Sequence, residues 1–160
     1  MIRETTGLSV RRQVTVELPQ ERAYRLFTSE MGSWWPRESH HVGELQPADV
    51  VMEPRDGGRW FERDAAGTEC EWGFVTSWDP PERVLLAWHL DLEFEFDPDP
   101  AMATQVEVRF VPEGPSTTRV ELEHRGFEVF GERGKKLVES VGSEGGWAGL
   151  LELYVAAAAA

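Results

Sequence analysis

Apolar and polar positions alternate along the middle of the chain, and this pattern predicts β-strands. The alternation is cleanest over 106–110 and 120–123, where Val, Leu and Phe side chains are separated by Glu and Arg. Apolar-in, polar-out patterning is typical of antiparallel strands with one face in water. Further strands are predicted over 8–18, 49–54, 58–64, 68–79 and 83–91, with Gly- and Pro-containing turns between most of them.

Two other stretches show the longer period of helices. After Pro19, which suits the first helical position, apolar residues recur at helical spacing and predict a short helix over 20–30. Ser143 is a candidate cap for a second helix near the C-terminus, and residues 132–141 predict a short helical turn before it. The apolar face of the C-terminal helix follows the spacing i, i+3, i+4, i+7 and i+8 through Trp147, Leu150, Leu151, Tyr154 and Val155.

The order of elements is a strand, a short helix, about six strands and a helix, which favours an α+β fold over parallel βαβ winding. A long antiparallel sheet twists and curls. We therefore expect a curved antiparallel sheet of about six or seven strands wrapped around the long C-terminal helix, with a cavity between them. The length suits one domain over residues 1–160.

Composition narrows the classes of partner. Sixteen basic and 29 acidic side chains give a net charge of −13, so we expect no nucleic acid and no membrane as a partner. The absence of an apolar signal core or long apolar stretch predicts a cytoplasmic protein. The single cysteine, Cys70, excludes an internal disulfide and is expected to be a buried, unreactive thiol in a strand.

Aromatic residues are unusually abundant. Seven tryptophans occur in 160 residues, and such large side chains either fill the core or line a ligand pocket. The sequence leaves both interpretations open. Alternation places six strand residues in two groups that each share a face: Cys70, Trp72 and Phe74, and Leu86, Trp88 and Leu90.

Two polar residues are predicted to point into the interior. If the apolar residues of 120–123 face inward, so does His124; if Trp60 faces inward, so does Glu62, although Phe61 leaves that strand's parity open. A buried carboxylate needs a partner or a proton, and His124 is the candidate partner. A Glu–His pair would orient a ligand or act as general base and acid. The alternative is a separate buried hydrogen bond for each side chain.

Two adjacent histidines lie in a loop that is expected to cover the cavity mouth. His40 and His41, with Glu44, His89 and His124, raise the alternative of a metal site. Neighbouring side chains on an extended loop point opposite ways, so no metal is expected. No phosphate-binding, dinucleotide or hydrolase motif is present in the sequence, and we expect no cofactor.

Five short motifs follow one another along the chain. They are Gly58-Arg59-Trp60, Trp72-Gly73-Phe74-Val75, Asp79 to Leu85 with Trp88, Glu123 to Phe127, and Gly146-Trp147 with Leu150 and Leu151. In this order they resemble the SRPBCC (START-like, helix-grip) superfamily and, more closely, its branch named after the activator of heat-shock protein 90 ATPase. The resemblance spans about residues 12–156 and implies a helix-grip domain whose cavity accepts a hydrophobic small molecule.

The favoured hypothesis is therefore binding of a hydrophobic or aromatic small molecule between the sheet and the C-terminal helix. The first alternative is a cofactor-free cyclase, dehydratase or hydrolase that uses Glu62 and His124 as catalytic residues. The second alternative is a co-chaperone-like interaction module. The eukaryotic co-chaperone has a further N-terminal domain for which this chain has no room. No chaperone partner is therefore expected. The sequence leaves the oligomeric state open, with a homodimer as one alternative. The predicted ligand contacts are Trp35, His40, Trp60, Glu62, Trp72, Trp88, His124, Trp147 and Leu151.

Overall fold

The computed structural model describes residues 9–160. Its strands are β1 (Val10–Val16), β2 (Asp49–Met52), β3 (Arg59–Arg63), β4 (Glu69–Asp79), β5 (Arg83–Trp88), β6 (Thr104–Gly114) and β7 (Thr117–Arg125). They form an antiparallel sheet in the order β1-β7-β6-β5-β4-β3-β2. The sheet curls into a half-barrel, which confirms the predicted helix-grip architecture.

The helices of residues 9–160 are α1 (Gln20–Phe27), α2 (Gly134–Gly142) and α3 (Trp147–Ala159), with 3-10 segments at Met31–Ser33, Pro100–Met102 and Phe127–Arg133. The buried face of α3 packs against β1 and α1. Tyr154 lies in this contact, where its hydroxyl donates to the carbonyl oxygen of Ala23 at 2.8 Å. The ring centroids of Tyr154 and Phe27 lie 5.2 Å apart. The C-terminal helix is thus held by the aromatic contacts of its apolar stripe.

The start of α3 differs from the prediction. Ser143 does not cap this helix; it follows the end of α2, where its hydroxyl donates to the carbonyl oxygen of Ser140 at 2.7 Å. The residue that precedes α3 is Gly146, which makes no side-chain cap. A Cβ atom at Gly146 would collide with the carbonyl oxygen of Val141. The glycine therefore permits the tight turn that joins α2 to α3.

The structure of β3 explains why the sequence did not decide which of its side chains face inward. Trp60 and Glu62 are buried, and Phe61 is only 1% exposed although it lies between them. The guanidinium groups of Arg59 and Arg63 lie over the Phe61 ring, 4.1 and 5.3 Å from its centroid. Both faces of β3 are therefore covered, one by the core and the other by arginine side chains.

A β-bulge breaks the alternation of β4. The pairing of β3 and β4 shifts by one residue just before Phe61, which leaves Trp72 as the extra residue. Beyond the bulge, Phe74 pairs with Ala87, on the face opposite to the buried Trp88. The prediction that Phe74 shares a face with Trp72 is therefore wrong. One extra residue reverses which side chains point inward.

Candidate functional site

A cavity of about 330 Å³ opens between β4, β5, the junction of α2 and α3, and the loop over residues 36–48, which we call the rim loop. Its volume lies within the range of about 300–1,000 Å³ that is usual for small-molecule pockets. The lining residues are Trp35, Ser39, His40, His41, Val42, Trp72, Trp88, Leu90, Phe94, Ser140, Val141, Gly145, Gly146, Trp147 and Leu150.

Four of the seven tryptophans line this cavity, and we call Trp35, Trp72, Trp88 and Trp147 the indole wall. The ring centroid of Trp35 lies 5.0 Å from that of Trp72 and 6.3 Å from that of Trp147. The Trp88 and Trp147 centroids are 6.1 Å apart. These tilted and edge contacts are the favoured arrangements of aromatic pairs. Together they hold the rings as a rigid apolar surface.

Glu62 lies behind the indole wall and holds it to the rim loop. One carboxylate oxygen accepts hydrogen bonds from the indole N–H of Trp72 at 2.8 Å and from the backbone N–H of Val42 at 2.6 Å. The other oxygen accepts from the backbone N–H of Gly43 at 2.9 Å. Three donors satisfy this buried carboxylate, as burial of a charge requires. Glu62 therefore positions the wall and the loop and is not itself part of the cavity surface.

His124 has a similar role on the same face of the sheet, four strands away on β7. The indole N–H of Trp147 donates to His124 Nδ1 at 3.0 Å, and Nε2 lies 2.8 Å from the Thr104 hydroxyl oxygen. Because an indole nitrogen only donates, Nδ1 carries no proton and Nε2 is the protonated nitrogen. Complete burial lowers the pKa of His124 to about 3. The imidazole is therefore neutral near pH 7 and is fixed by two hydrogen bonds.

The predicted Glu–His pair is wrong. Glu62 lies on β3 and His124 on β7, and β4, β5 and β6 lie between them. Each side chain also has other partners: the hydrogen bonds of Glu62 go to the rim loop and Trp72, and those of His124 go to Trp147 and Thr104. Alternation indicated the inward face of His124 and left that of Glu62 open, and it contains no information about the order of the strands in the sheet.

The structure divides the predicted ligand contacts into two groups. Trp35, His40, Trp72, Trp88 and Trp147 line the cavity. The other predicted contacts lie behind its surface, where they support the lining residues: Trp60, Glu62, His124 and Leu151. Leu150 lines the cavity in place of Leu151 because successive residues of a helix differ in direction by about 100°.

His40 fastens the rim loop across the cavity. Its Nε2 lies 2.6 Å from the carbonyl oxygen of Gly145, at the turn before α3, and its Nδ1 lies 2.8 Å from the Ser39 hydroxyl. The indole N–H of Trp35 donates to the backbone carbonyl oxygen of His40 at 2.9 Å. Since a carbonyl oxygen only accepts, Nε2 carries the proton and Nδ1 accepts from Ser39. Both ring nitrogens of His40 are thus engaged.

His41 differs from its neighbour in one respect. Its Nδ1 lies 2.8 Å from the carbonyl oxygen of Gly43 and must donate to it. That bond leaves Nε2 unprotonated in the neutral ring, and within residues 9–160 it has no hydrogen-bond partner. The sequence placed His41 only in a loop over the mouth. Its adjacency to His40 was the available signal, but no periodic pattern in the loop indicates which nitrogen stays open.

Two further nitrogens and one thiol complete the description of the site. The indole nitrogens of Trp60 and Trp88 are the buried side-chain nitrogens without a hydrogen-bond partner among the described residues. The two rings meet edge to face, 5.8 Å between centroids. Cys70 is half-buried rather than fully buried as expected. Its partial burial raises the pKa of the thiol, and the neighbouring Glu62 carboxylate raises it further. This direction disfavours the thiolate that a nucleophilic cysteine needs.

Residues 9–160 contain no group of three or more His, Cys, Asp or Glu side chains that could hold a metal ion. Among the same residues, every helix is too short or too polar to cross a membrane.

The half-barrel sheet, the helix that it grips and the aromatic cavity define a START-like, helix-grip protein. Comparison with family models identifies the family: the model of the Activator of Hsp90 ATPase homolog 1-like protein matches residues 17–153, and the chain belongs to this family. The resemblance seen in the sequence motifs is thereby confirmed. Among curated proteins no match is found.

Solved structures give the same fold. The chain is 34% identical to the anthrahydroquino-γ-pyrone synthase Txn09, with 92% of this chain and 95% of that chain covered and a TM-score of 0.65. It is 29% identical to the self-sacrificing resistance protein CalC from Micromonospora echinospora, with coverage of 94% and 93% and a TM-score of 0.67. An HSP90 activator from Plasmodium falciparum is 18% identical, with coverage of 73% and 71% and a TM-score of 0.50, and shows the fold alone.

Proposed function

We propose that this protein binds a planar, largely apolar aromatic small molecule in the cavity. The observation that carries the proposal is the indole wall: four tryptophan rings surround a cavity of about 330 Å³. Most of the polar lining side chains, Ser39, His40 and His41, belong to the rim loop. Apolar walls with a few polar groups at defined positions are the usual composition of small-molecule sites. A ligand with aromatic rings and one polar edge fits this distribution.

The synthase that is 34% identical supports the same class of ligand. Its name describes a product in which a γ-pyrone is joined to an anthrahydroquinone, a planar polycyclic aromatic molecule with oxygen substituents. A ligand of this kind has flat faces for the indole rings and oxygen atoms for the rim loop. Aromatic stacking of such a ligand contributes beyond the burial of apolar area.

Binding of 1,8-dihydroxyanthraquinone tests the proposal, with isothermal titration calorimetry and quenching of indole fluorescence as readouts. The wild-type protein is expected to bind it at one saturable site. Leu150→Trp enlarges a side chain that lines the cavity and should weaken binding by more than about tenfold, or 1.4 kcal/mol. The matched control is Leu153→Trp on the same helix, where the native side chain is 42% exposed.

Circular dichroism establishes that both variants are folded before binding is compared. No saturable binding to the wild-type protein contradicts the proposal. So does equal affinity of the wild-type protein and Leu150→Trp, since the ligand would then bind elsewhere.

A cofactor-free enzyme is the second candidate, and the synthase relative is the observation that favours it. The residues differ from those expected, because Glu62 and His124 are both engaged behind the wall. Any acid–base chemistry in the cavity has to use the rim loop, where His40 and His41 lie.

The co-chaperone alternative predicted an exposed apolar patch outside the cavity. The large apolar side chains that are exposed in residues 9–160 lie on four separate segments: Leu45, Phe94, Val129 and Leu153. We therefore do not propose this function. Three expectations remain predictions from the sequence. They are a cytoplasmic location, the lack of nucleic-acid and membrane partners, and an oligomeric state for which a homodimer is one alternative.

A further inference from the structure

We infer that His41 is the general base of the cavity and that its substrate is an aromatic enone with a phenol ortho to the carbonyl group. Closure of such an enone forms a dihydro-γ-pyrone ring, which is related to the γ-pyrone in the name of the 34% identical synthase. This inference rests on the proposed function, since it requires an aromatic molecule bound against the indole wall. It adds a reaction and a named proton acceptor to that binding.

A comparison of the four histidines singles out His41. His40 and His124 each use both ring nitrogens in hydrogen bonds. His89 donates from Nδ1 to the carbonyl oxygen of Asp97, but it stacks on Phe96 and does not line the cavity. His41 makes the same kind of Nδ1 bond, lines the cavity, and keeps Nε2 unpartnered within residues 9–160. It combines a defined tautomer with an open lone pair at the site.

The Nε2 atom of His41 is also accessible. The unpartnered side-chain nitrogens that are sealed from solvent in residues 9–160 belong to Trp60 and Trp88, so His41 Nε2 is not among them. The side chain is half-buried, as expected for a group at the rim of a pocket. Because His41 belongs to the cavity lining, a molecule at the rim has no protein donor to displace from this nitrogen.

The orientation of His41 is fixed through the sheet. Gly43 accepts the His41 Nδ1 proton at its carbonyl oxygen and donates its own N–H to Glu62. Glu62 also accepts from Val42, the residue between them, and lies on β3. A base whose second nitrogen is held by a hydrogen bond keeps one tautomer and one orientation. Glu62 is thus a positioning residue for His41.

No other titratable group competes for this role at the described cavity surface. Of the residues that line it, His40 and His41 are the titratable ones. The carboxylate nearest in the bonding network, that of Glu62, is occupied by three N–H donors, and Glu44 on the rim loop is exposed and outside the lining. Proton transfer within the cavity therefore falls to His41.

The reaction is an intramolecular addition without a co-reactant. His41 Nε2 takes the phenolic proton, and the phenolate oxygen forms a C–O bond to the β-carbon of the enone while the C=C π bond breaks. The resulting enolate then takes the proton from the His41 imidazolium at its α-carbon. The product is an isomer of the substrate with a new six-membered oxygen ring, and no electrons enter or leave.

The test uses 2′-hydroxychalcone, a two-ring enone with an ortho phenol, whose closure to flavanone is followed by loss of its near-ultraviolet absorbance. Binding is measured separately by indole quenching. Wild-type protein is expected to bind the probe and accelerate closure. His41→Asn keeps an amide N–H for the Gly43 carbonyl oxygen but has no base, and should bind the probe while losing about 10²–10⁴-fold in rate.

Two further variants separate a chemical role from a structural one. His41→Gly should regain part of the lost rate when imidazole is added, which a loss of loop structure alone would not do. His89→Asn, which preserves the donor to Asp97, is the matched control and should turn over like the wild-type protein.

The outcomes distinguish this inference from the binding proposal. Binding of the probe by the wild-type protein without acceleration overturns the role of His41 and leaves the binding proposal intact. The role of His41 is also overturned if His41→Asn closes the probe at the wild-type rate. It is likewise overturned if added imidazole does not increase the rate of His41→Gly. If the wild-type protein binds neither this probe nor the anthraquinone, both proposals are wrong.

Discussion

The indole wall and the rim loop both surround the cavity, but their polar groups are arranged differently. Behind the wall, Glu62 and His124 are buried and their hydrogen bonds are made within the protein. On the rim loop, His41 is half-buried and keeps one nitrogen open. Most polar groups deep in a core are satisfied because an unmet bond there is costly, and the indole nitrogens of Trp60 and Trp88 are the exceptions in residues 9–160. Groups that remain free for a ligand are therefore expected at the rim.

The largest effect is expected from Glu62→Gln. The variant has an amide NH₂ in place of one carboxylate oxygen. In one orientation the NH₂ faces the N–H of Gly43, and in the other it faces the N–H groups of Val42 and Trp72. In both cases two hydrogen-bond donors face each other and the native hydrogen bond is lost. Loss of charged hydrogen bonds in a buried site should lower the free energy of unfolding by about 3 kcal/mol. Urea denaturation measures this change as a shift of the midpoint at constant slope.

Glu71→Gln, one strand away, is the control for this substitution, because that side chain makes no hydrogen bond or ion pair within residues 9–160 and is only partly buried. It should change the free energy of unfolding by less than about 0.5 kcal/mol. Equal stabilities of the two variants would show that the wall and the rim loop are not joined through Glu62.

The next effect concerns pH and His124. Burial lowers the pKa of this imidazole from 6.5 to about 3, so between these values the unfolded chain takes up a proton that the folded protein does not. The contribution of His124 to the free energy of unfolding should be fully present above pH 6.5 and should decrease as the pH falls. The decrease should reach up to about 1.4 kcal/mol per pH unit. His124→Gln should reduce that slope.

Carboxylates titrate in both proteins, so the difference between the two slopes isolates the histidine. Denaturant midpoints measured between pH 6.5 and 4 give this comparison. Parallel curves for the wild-type protein and His124→Gln would mean that His124 is accessible to protons and is not part of a sealed wall.

A smaller effect separates two indoles of the same wall. Trp72→Phe removes the N–H that donates to Glu62, whereas Trp88→Phe removes an N–H without a partner in residues 9–160. Both variants lose similar ring volume. Trp72→Phe should therefore cost about 1 kcal/mol more in the free energy of unfolding, measured by urea denaturation. A larger cost at Trp88 would contradict the assignment of the hydrogen bonds.

The smallest effect is expected on the rim loop itself. Ser39→Ala removes the hydroxyl that donates to His40, and Ser39 is exposed to solvent. Water can replace this bond, so the free energy of unfolding should fall by only about 0.5 kcal/mol. A change in the thermal midpoint as large as that of Glu62→Gln would remove the distinction between rim and wall.

The architecture was predictable because period-two alternation and one helical stripe extend over long segments. The face of His124 was predictable for the same reason, whereas that of Glu62 was not, because Trp60, Phe61 and Glu62 are buried in succession. Their separation was not, since the order of strands in a sheet depends on contacts far apart in sequence. The bulge at Trp72 shows the other limit, because a single inserted residue changes the parity without changing the pattern on either side.

The rim loop was the least predictable part of the site. Its residues follow no period, and the tautomers of His40 and His41 depend on two carbonyl oxygens, of Gly145 and Gly43, that no side-chain pattern indicates. The adjacent histidines were visible in the sequence, but which of the two keeps a free nitrogen is a property of the folded backbone.

The most direct test of the central claim is an ¹⁵N-correlated NMR spectrum of the indole N–H groups, recorded while 1,8-dihydroxyanthraquinone is added. If the cavity binds a planar aromatic molecule, the signals of Trp35, Trp72, Trp88 and Trp147 shift together and saturably. The signal of Trp78, which packs against Tyr24 away from the cavity, should stay in place. Shifts centred on Trp78, or no shift in the four lining indoles at saturating ligand, would contradict the account.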